Sequence, residues 1–177
     1  MKLLFDCDGT ILNSMHIWVE PMNQIFEKYG LSFKNLEKEE KGKIEALSLS
    51  DMIRYISENI ATDMSEEEVH SYFNEIIEDG YKNHLMPKVG ALEALTKLYN
   101  TGYEMAIASS NDSAYLKIAF ERLNIDHYFS FYTTPDLTNS KKSDSDYWQY
   151  AIDKFKVSPD QIILYDDALY AVKGSKQ

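Results

Sequence analysis

The sequence predicts an α/β fold in which a parallel sheet is flanked by helices and a small α-helical cap is inserted after the first strand. Over residues 85–177, short apolar runs suited to buried strands alternate with segments of helical periodicity. A further apolar run, residues 3–5, lies near the start of the chain. Residues 16–84 hold no convincing strand, and their apolar residues recur every three or four positions. Alternating strands and helices favour a Rossmann-like parallel sheet with right-handed crossovers.

The α/β part contains four predicted strands, each a short apolar or aromatic run. They cover residues 3–5, 103–108, 128–132 and 161–165. Leucine, alanine and aromatic side chains recur at helical spacing in the segments that precede or connect the later strands. The helices predicted there cover residues 92–99, 116–123 and 147–155.

The inserted segment is predicted to be a small helical bundle. One helix spans about residues 17–29, with a restart expected at Pro21, and a second begins at Ser50. A third begins at Ser65, because Ser65 followed by Glu68 is the pattern of a capping box.

The chain is therefore expected to form two domains. Residues 1–15 and 85–177 make up the α/β core, and residues 16–84 make up the cap. Pro87 and Gly90 suit the second boundary, because these residue types interrupt regular structure. A cap on two short linkers would be able to close over a bound ligand and exclude water.

Composition argues against several classes of partner. The formal net charge of −11 disfavours binding to nucleic acid or to an anionic membrane surface. No apolar run approaches the roughly 20 residues of a membrane-spanning helix, and no signal-peptide pattern precedes residue 3. The single cysteine, Cys7, excludes an intramolecular disulfide framework. These features predict a soluble, cytoplasmic protein.

The most informative motif follows the first predicted strand. Asp6, Cys7, Asp8, Gly9 and Thr10 place two carboxylates at a strand end, and the glycine permits a sharp turn there. One carboxylate can attack phosphorus and hold the phosphoryl group. The other can exchange protons with the leaving group and with water. The motif therefore indicates phosphoryl transfer.

Polar residues also follow the second and the fourth predicted strands. Ser109 offers a hydroxyl to a phosphate oxygen, and the backbone amides of Ser110 and Asn111 add donors at a helix start. Asp166 and Asp167 are suited to a divalent cation. Because parallel strands deliver their carboxyl ends to one crevice, these residues are expected to meet.

A cation for this site is expected from the segment before the helix at 147–155. Lys141 and Lys142 stand there, and the ammonium of either one could neutralise phosphate and carboxylate charge. The four histidines are scattered, so zinc and iron are disfavoured and Mg²⁺ is the expected metal.

In order and residue type, these motifs resemble those of the haloacid dehalogenase superfamily, on the helical-cap branch that includes β-phosphoglucomutase and phosphoglycolate phosphatase. The resemblance implies that Asp6 is the nucleophile and Asp8 the general acid/base. It implies that Ser109 supplies the hydroxyl of the second motif. Lys142, by its spacing to Asp146, matches the lysine of the third motif.

The resemblance also implies where ligands bind. Mg²⁺ would lie between Asp6, the backbone carbonyl of Asp8 and the acidic pair Asp166 and Asp167. The substrate phosphate would meet residues from two of the motifs, namely Gly9, Thr10, Ser110 and Asn111. The implied activity is that of a Mg²⁺-dependent phosphatase that hydrolyses a small phosphorylated metabolite through an aspartyl-phosphate intermediate.

Three other functions are compatible with parts of this pattern. A sugar-phosphate mutase would need a cap cation for a second phosphate, and the expected cap loop, residues 47–50, has none, although Arg54 follows one helical turn later. A phosphorylated signalling module of the receiver type would lack the inserted cap and would carry its acceptor in mid-chain. A degenerate, non-catalytic phosphate-binding protein is the third alternative.

The resemblance has one consequence for assembly. Members of the superfamily continue beyond the fourth motif with a further strand, whereas here few residues follow Asp167. The strand at 161–165 is therefore expected to present an apolar edge, and such an edge favours self-association, pairing with a partner segment, or a domain of reduced stability.

Overall fold

The computed structural model describes residues 1–45, 47 and 49–176, and over these residues the chain forms two compact units. Met1–Met15 and Tyr81–Gln177 form one unit, called the α/β unit below. His16–Gly80 form the other, called the helical unit. The second boundary lies between residues 80 and 81, whereas the sequence placed it between residues 84 and 85.

The α/β unit is built on a four-stranded parallel sheet, which confirms the predicted fold class. The strands are β1 (Lys2–Phe5), β2 (Glu104–Ala108), β3 (Phe129–Thr133) and β4 (Ile162–Tyr165), and their order in the sheet is β3-β2-β1-β4. In register, Leu4 lies opposite Ala106 on one side and Leu164 on the other. The predicted strands are all present, with ends displaced by one residue at most.

The described part of the helical unit consists of helices and connecting turns. The helices are α1 (Met15–Lys28), α2 (Lys38–Glu45), α3 (Leu49–Asn59) and α4 (Glu66–Asp79). The capping box at α4 is confirmed, because Ser65 Oγ accepts from Glu68 N at 3.2 Å and Glu68 Oε2 accepts from Ser65 N at 2.7 Å. Pro21 does not restart α1 but lies buried inside it. The predicted loop 47–50 includes Ser48, which is outside the described residues, while Leu49 and Ser50 belong to α3.

The remaining helices belong to the α/β unit. They are α5 (Ala91–Asn100), α6 (Ser113–Arg122), α7 (Pro135–Thr138), α8 (Ser145–Phe155) and α9 (Leu169–Gly174). One face of the sheet packs on α8, and the buried cluster there consists of Leu4, Ala106, Ala108, Tyr147, Trp148, Ala151, Phe155 and Ala171. Because side chains alternate along a strand, Leu3, Met105 and Ile107 face the opposite side and are also buried. None of the described helices is long and apolar enough to cross a membrane.

The order of the strands determines where the site lies. From β1 the chain proceeds to β2 on one side of the sheet and later returns to place β4 on the other side. In open parallel sheets the connections diverge at such a reversal and leave a crevice at the carboxyl ends of the strands. Asp6 directly follows β1 and Asp166 directly follows β4, so both lie at this reversal.

Tyr147 fixes the ends of two neighbouring strands. Its hydroxyl lies 2.7 Å from the carbonyl oxygen of Ser109, after β2, and 2.6 Å from that of Thr133, the last residue of β3. The side chain is fully buried.

We expect Tyr147→Phe to lower the free energy of unfolding by about 1–3 kcal/mol, because a buried carbonyl loses its donor. Denaturant unfolding measures this loss, and the matched control is Tyr150→Phe on the same helix; equal small losses in both variants would contradict the assignment.

Self-association of the protein is expected along the outer edge of β4, and it stays a prediction. Within the described residues β4 pairs with β1 alone, and Ile163 and Tyr165 are 38% and 43% exposed. We expect concentration-dependent dimers formed by two copies pairing along this edge, and we expect Ile163→Lys to abolish them, because edge lysines oppose strand pairing. Light scattering detects the dimers. A strictly monomeric wild-type protein with strongly protected amides in β4 would disprove the prediction.

Candidate active site

A buried lysine lies at the centre of the site. Lys142 Nζ is 2.5 Å from Asp6 Oδ1 and 2.6 Å from Asp166 Oδ2, and the Lys142 residue is 2% exposed. Its backbone carbonyl accepts a hydrogen bond from Trp148 Nε1 at 3.0 Å, which holds the loop before α8 in place. Of the two lysines that the sequence left open, Lys142 lies against the carboxylates, whereas Lys141 is exposed.

Two carboxylates, those of Asp6 and Asp166, contact this lysine, and the carboxylate of Asp167 lies close to both of them. Asp6, Asp166 and Asp167 each present one carboxylate oxygen to the same place, and these three oxygens lie within 4.8 Å of one another. Asp6 Oδ2 is buried and meets no donor in hydrogen-bonding geometry among the described residues. A buried carboxylate oxygen without a donor is costly unless a cation satisfies it. The donor set consists of oxygen atoms only, which fits Mg²⁺.

Gly9 allows the turn after β1 to approach the acidic pair. Its φ is +87°, a left-handed conformation that favours glycine, and a Cβ at this position would collide with the Asp167 carboxylate. The turn is closed by hydrogen bonds from the amides of Thr10 and Leu12 to the carbonyl of Cys7. Substitution of Gly9 would therefore displace either the turn or the acidic pair.

Asp8 lies in a different environment from Asp6. Its carboxylate is outside the group of three, so its expected metal contact would come only from the backbone carbonyl. Instead, Asp8 Oδ1 accepts a hydrogen bond from the Tyr81 hydroxyl, and Asn111 Nδ2 donates to the same hydroxyl at 2.8 Å. Tyr81 was missed by the sequence analysis, which counted it as part of the cap. Helical periodicity offers no sign of a contact with a residue 73 positions away.

The segment after β2 holds the predicted phosphate-binding residues. Ser109 is buried and Ser110 is exposed, and Ser110 Oγ lies 2.9 Å from the Tyr170 hydroxyl. The backbone amide of Asn111, expected as a donor to an anion, donates to Ser109 Oγ at 3.1 Å. Because a hydroxyl can accept and donate at once, this bond leaves the hydrogen of Ser109 Oγ for another acceptor.

Burial shifts the pKa values of these groups in one direction, and nearby charges and hydrogen bonds shift them in the other. Burial raises the pKa of Asp6 to about 6, and the nearby Lys142 ammonium limits the rise. Burial also raises the pKa of Asp8, and the hydrogen bond from Tyr81 limits it. Burial alone would lower the pKa of Lys142, but the charges of Asp6 and Asp166 outweigh burial and raise it. The raised pKa favours the ammonium form of Lys142 within this cluster.

Comparison with known proteins identifies the family. The sequence model of the haloacid dehalogenase-like hydrolases matches residues 3–177, so the chain belongs to this family and is a hydrolase. It is 20% identical over 184 residues to the phosphorylated carbohydrates phosphatase of Thermotoga maritima, covering 98% of this chain and 79% of that protein. It is 22% identical over 176 residues to the fructose-1-phosphate phosphatase YqaB of Escherichia coli, covering 98% and 90%.

A solved structure has the same fold. A Thermotoga maritima protein described as a β-phosphoglucomutase candidate superposes with a TM-score of 0.84 at 19% identity, covering 99% of this chain and 81% of that protein. The family assignment made from the four sequence motifs is thereby confirmed.

The acidic group gives a prediction about metal binding. We expect Mg²⁺ to raise the unfolding temperature of the metal-free protein, because a cation relieves repulsion among Asp6, Asp166 and Asp167. At a concentration of 100 times the dissociation constant, the stabilisation is about 2.7 kcal/mol. Asp167→Asn should remove most of the shift, whereas Asp160→Asn, an exposed aspartate before β4, should leave it unchanged. Thermal unfolding with and without Mg²⁺ measures both, and a full shift in Asp167→Asn would refute the metal site.

Proposed function

We propose that this chain is a Mg²⁺-dependent phosphatase that hydrolyses a small phosphorylated metabolite through an aspartyl-phosphate on Asp6. The observation that carries the proposal is the buried contact of Lys142 with both Asp6 and Asp166 at the reversal of strand order. A lysine held there neutralises charge on the carboxylate and on an incoming phosphate. The comparisons support hydrolysis, since the relatives are phosphatases by name.

In the first chemical step, a carboxylate oxygen of Asp6 attacks phosphorus and the ester P–O bond breaks. The leaving oxygen takes a proton from the Asp8 carboxylic acid, so the alcohol departs neutral. Lys142 and the Ser109 hydroxyl would hold phosphoryl oxygens as the negative charge on those oxygens is redistributed.

In the second step, water attacks phosphorus of the aspartyl-phosphate and the bond to Asp6 breaks. Asp8, now a carboxylate, takes a proton from the water, so phosphate is released and both aspartates return to their initial states. When bound among Asp6, Asp166 and Asp167, Mg²⁺ would supply Lewis-acid stabilisation of phosphoryl charge.

The proposed substrate class is a phosphorylated carbohydrate. Two relatives are a phosphorylated carbohydrates phosphatase and a fructose-1-phosphate phosphatase. The acidic surface implied by a net charge of −11 does not oppose such a ligand, because Lys142 and the metal dominate the local field.

A sugar-phosphate mutase is the second candidate, and the fold of the β-phosphoglucomutase candidate favours it. A mutase must retain a second phosphate, and the expected cap loop, residues 47–50, carries no cation for it; Arg54 follows one helical turn later. In the structure the Arg54 side chain is half-exposed and pairs with two carboxylates, at 3.4 Å from Asp51 Oδ1 and 3.9 Å from Glu66 Oε2, so part of its charge is already balanced. This arrangement favours hydrolysis. NMR of the reaction products separates the two functions. Free phosphate would support hydrolysis, and an isomeric sugar phosphate would support the mutase.

Substitution of the two aspartates tests the proposed roles. We expect Asp6→Asn to lower kcat more than about a thousandfold, because the nucleophile is lost. Asp8→Asn should slow both steps but still bind Mg²⁺, and acid-quenched mass spectrometry should detect phosphate on Asp6. The assay is phosphate release from a panel of phosphorylated carbohydrates and an aryl phosphate, with Asp160→Asn as the control.

Two outcomes would argue against the proposal. Wild-type turnover by Asp6→Asn would end the covalent mechanism. A wild-type protein that turns over no phosphate ester with Mg²⁺, yet binds inorganic phosphate, would favour the non-catalytic binding protein. A receiver-type module would instead accumulate phosphate on Asp6 from a small phosphodonor without catalytic turnover.

A further inference from the structure

Tyr81 is a buried tyrosine next to the proposed catalytic groups, and the mechanism above does not use it. It is the first residue of the second segment of the α/β unit and lies in a π-helical turn, Gly80–His84. Its exposed fraction is 0%. Short π-helical turns are rare and occur frequently at functional sites.

The hydrogen bonds of the Tyr81 hydroxyl have a defined direction. Asn111 Nδ2 lies 2.8 Å from the hydroxyl oxygen and can only donate, so the oxygen accepts from it. The hydroxyl hydrogen is therefore directed to Asp8 Oδ1. Asp8 is thus bound through Tyr81 to a residue on the segment after β2.

The segment that contains α6 also fixes Tyr81 at its ring and at its backbone. The Tyr115 ring lies with its centroid 5.6 Å from that of Tyr81. Arg122 Nε donates to the Tyr81 carbonyl at 3.3 Å, and Arg122 Nη2 donates to the Leu85 carbonyl. Since a guanidinium is a rigid fork, its two bonds fix the path of the π-helical turn. Asn111, Tyr115 and Arg122 therefore contact one tyrosine at three points, its hydroxyl, its ring and its backbone carbonyl.

We propose that Tyr81 is a positioning residue that holds the Asp8 carboxyl group in the orientation needed to pass a proton to the leaving group and to take one from water. The proposal rests on the phosphatase function given above. Lys142 lies 2.5 Å from Asp6, whereas Asp8 is bonded to Tyr81, so the two aspartates are held by different partners. A proton-transfer group must keep both its distance and its direction, and loss of such a supporting hydrogen bond typically costs about tenfold to a hundredfold in activity.

The test uses the dependence of rate on the leaving group. Tyr81→Phe keeps the ring and removes the hydroxyl. We expect kcat for an alkyl phosphate, whose leaving oxygen needs a proton, to fall about tenfold to a hundredfold. The rate of phosphorylation by p-nitrophenyl phosphate, whose leaving group departs readily as an anion, should fall much less. KM should stay within about twofold, since substrate contacts are intact. Tyr150→Phe is the matched control and should behave like the wild type.

A double-mutant cycle separates positioning from general destabilisation. If Tyr81 acts through Asp8, Tyr81→Phe should have no further effect on the residual rate of Asp8→Asn, because interacting residues are not additive. Arg122→Lys keeps the charge but loses the fork geometry, and should give the same leaving-group dependence at smaller size. This variant also serves if Tyr81→Phe does not fold.

The outcomes distinguish this proposal from the proposed function. Equal losses with both leaving groups, or losses that add to those of Asp8→Asn, would overturn the role of Tyr81 while leaving the phosphatase in place. Absence of wild-type turnover on every phosphate ester would overturn both.

Discussion

The site depends on the burial of one ammonium group between two carboxylates. Lys142 contacts Asp6 and Asp166, which follow different strands, and its own backbone is held by Trp148. Removal of any one of these partners would be strongly destabilising, since it would leave an uncompensated charge in a low-dielectric region. Charge thus couples the loop before α8, which carries Lys142, to the ends of β1 and β4, which Asp6 and Asp166 follow. Their relative position is fixed by charge as well as by apolar packing.

The two aspartates of the first motif have separate environments although only one residue stands between them. Asp6 lies in a charged, buried group, and Asp8 lies in a network of neutral hydrogen-bonding side chains. Such a difference allows neighbouring carboxyl groups to take different chemical roles, one as nucleophile and one as proton carrier.

Most of the sheet and the residues at its strand ends could be predicted from sequence, because an apolar run followed by a polar residue is a local signal. Asp6, Ser109 and Asp166 follow strands in this way. The role of Tyr81 could not be predicted, since its contact with Asp8 depends on tertiary structure and its spacing is that of any helical residue. The restart expected at Pro21 was wrong for a related reason: a proline disfavours a helix interior locally, but burial in the helical unit outweighs that preference.

The π-helical turn at Gly80–His84 has a consequence for how the protein can change in evolution. A π-turn accommodates one residue more than an α-helical turn, and each residue rotates a helix by about 100°. Deletion of a single residue there would restore α-helical geometry. The Tyr81 ring would then rotate by about 100° about the helix axis, away from its acceptor Asp8 Oδ1. Insertions and deletions in this segment are therefore expected to be tolerated less often than substitutions.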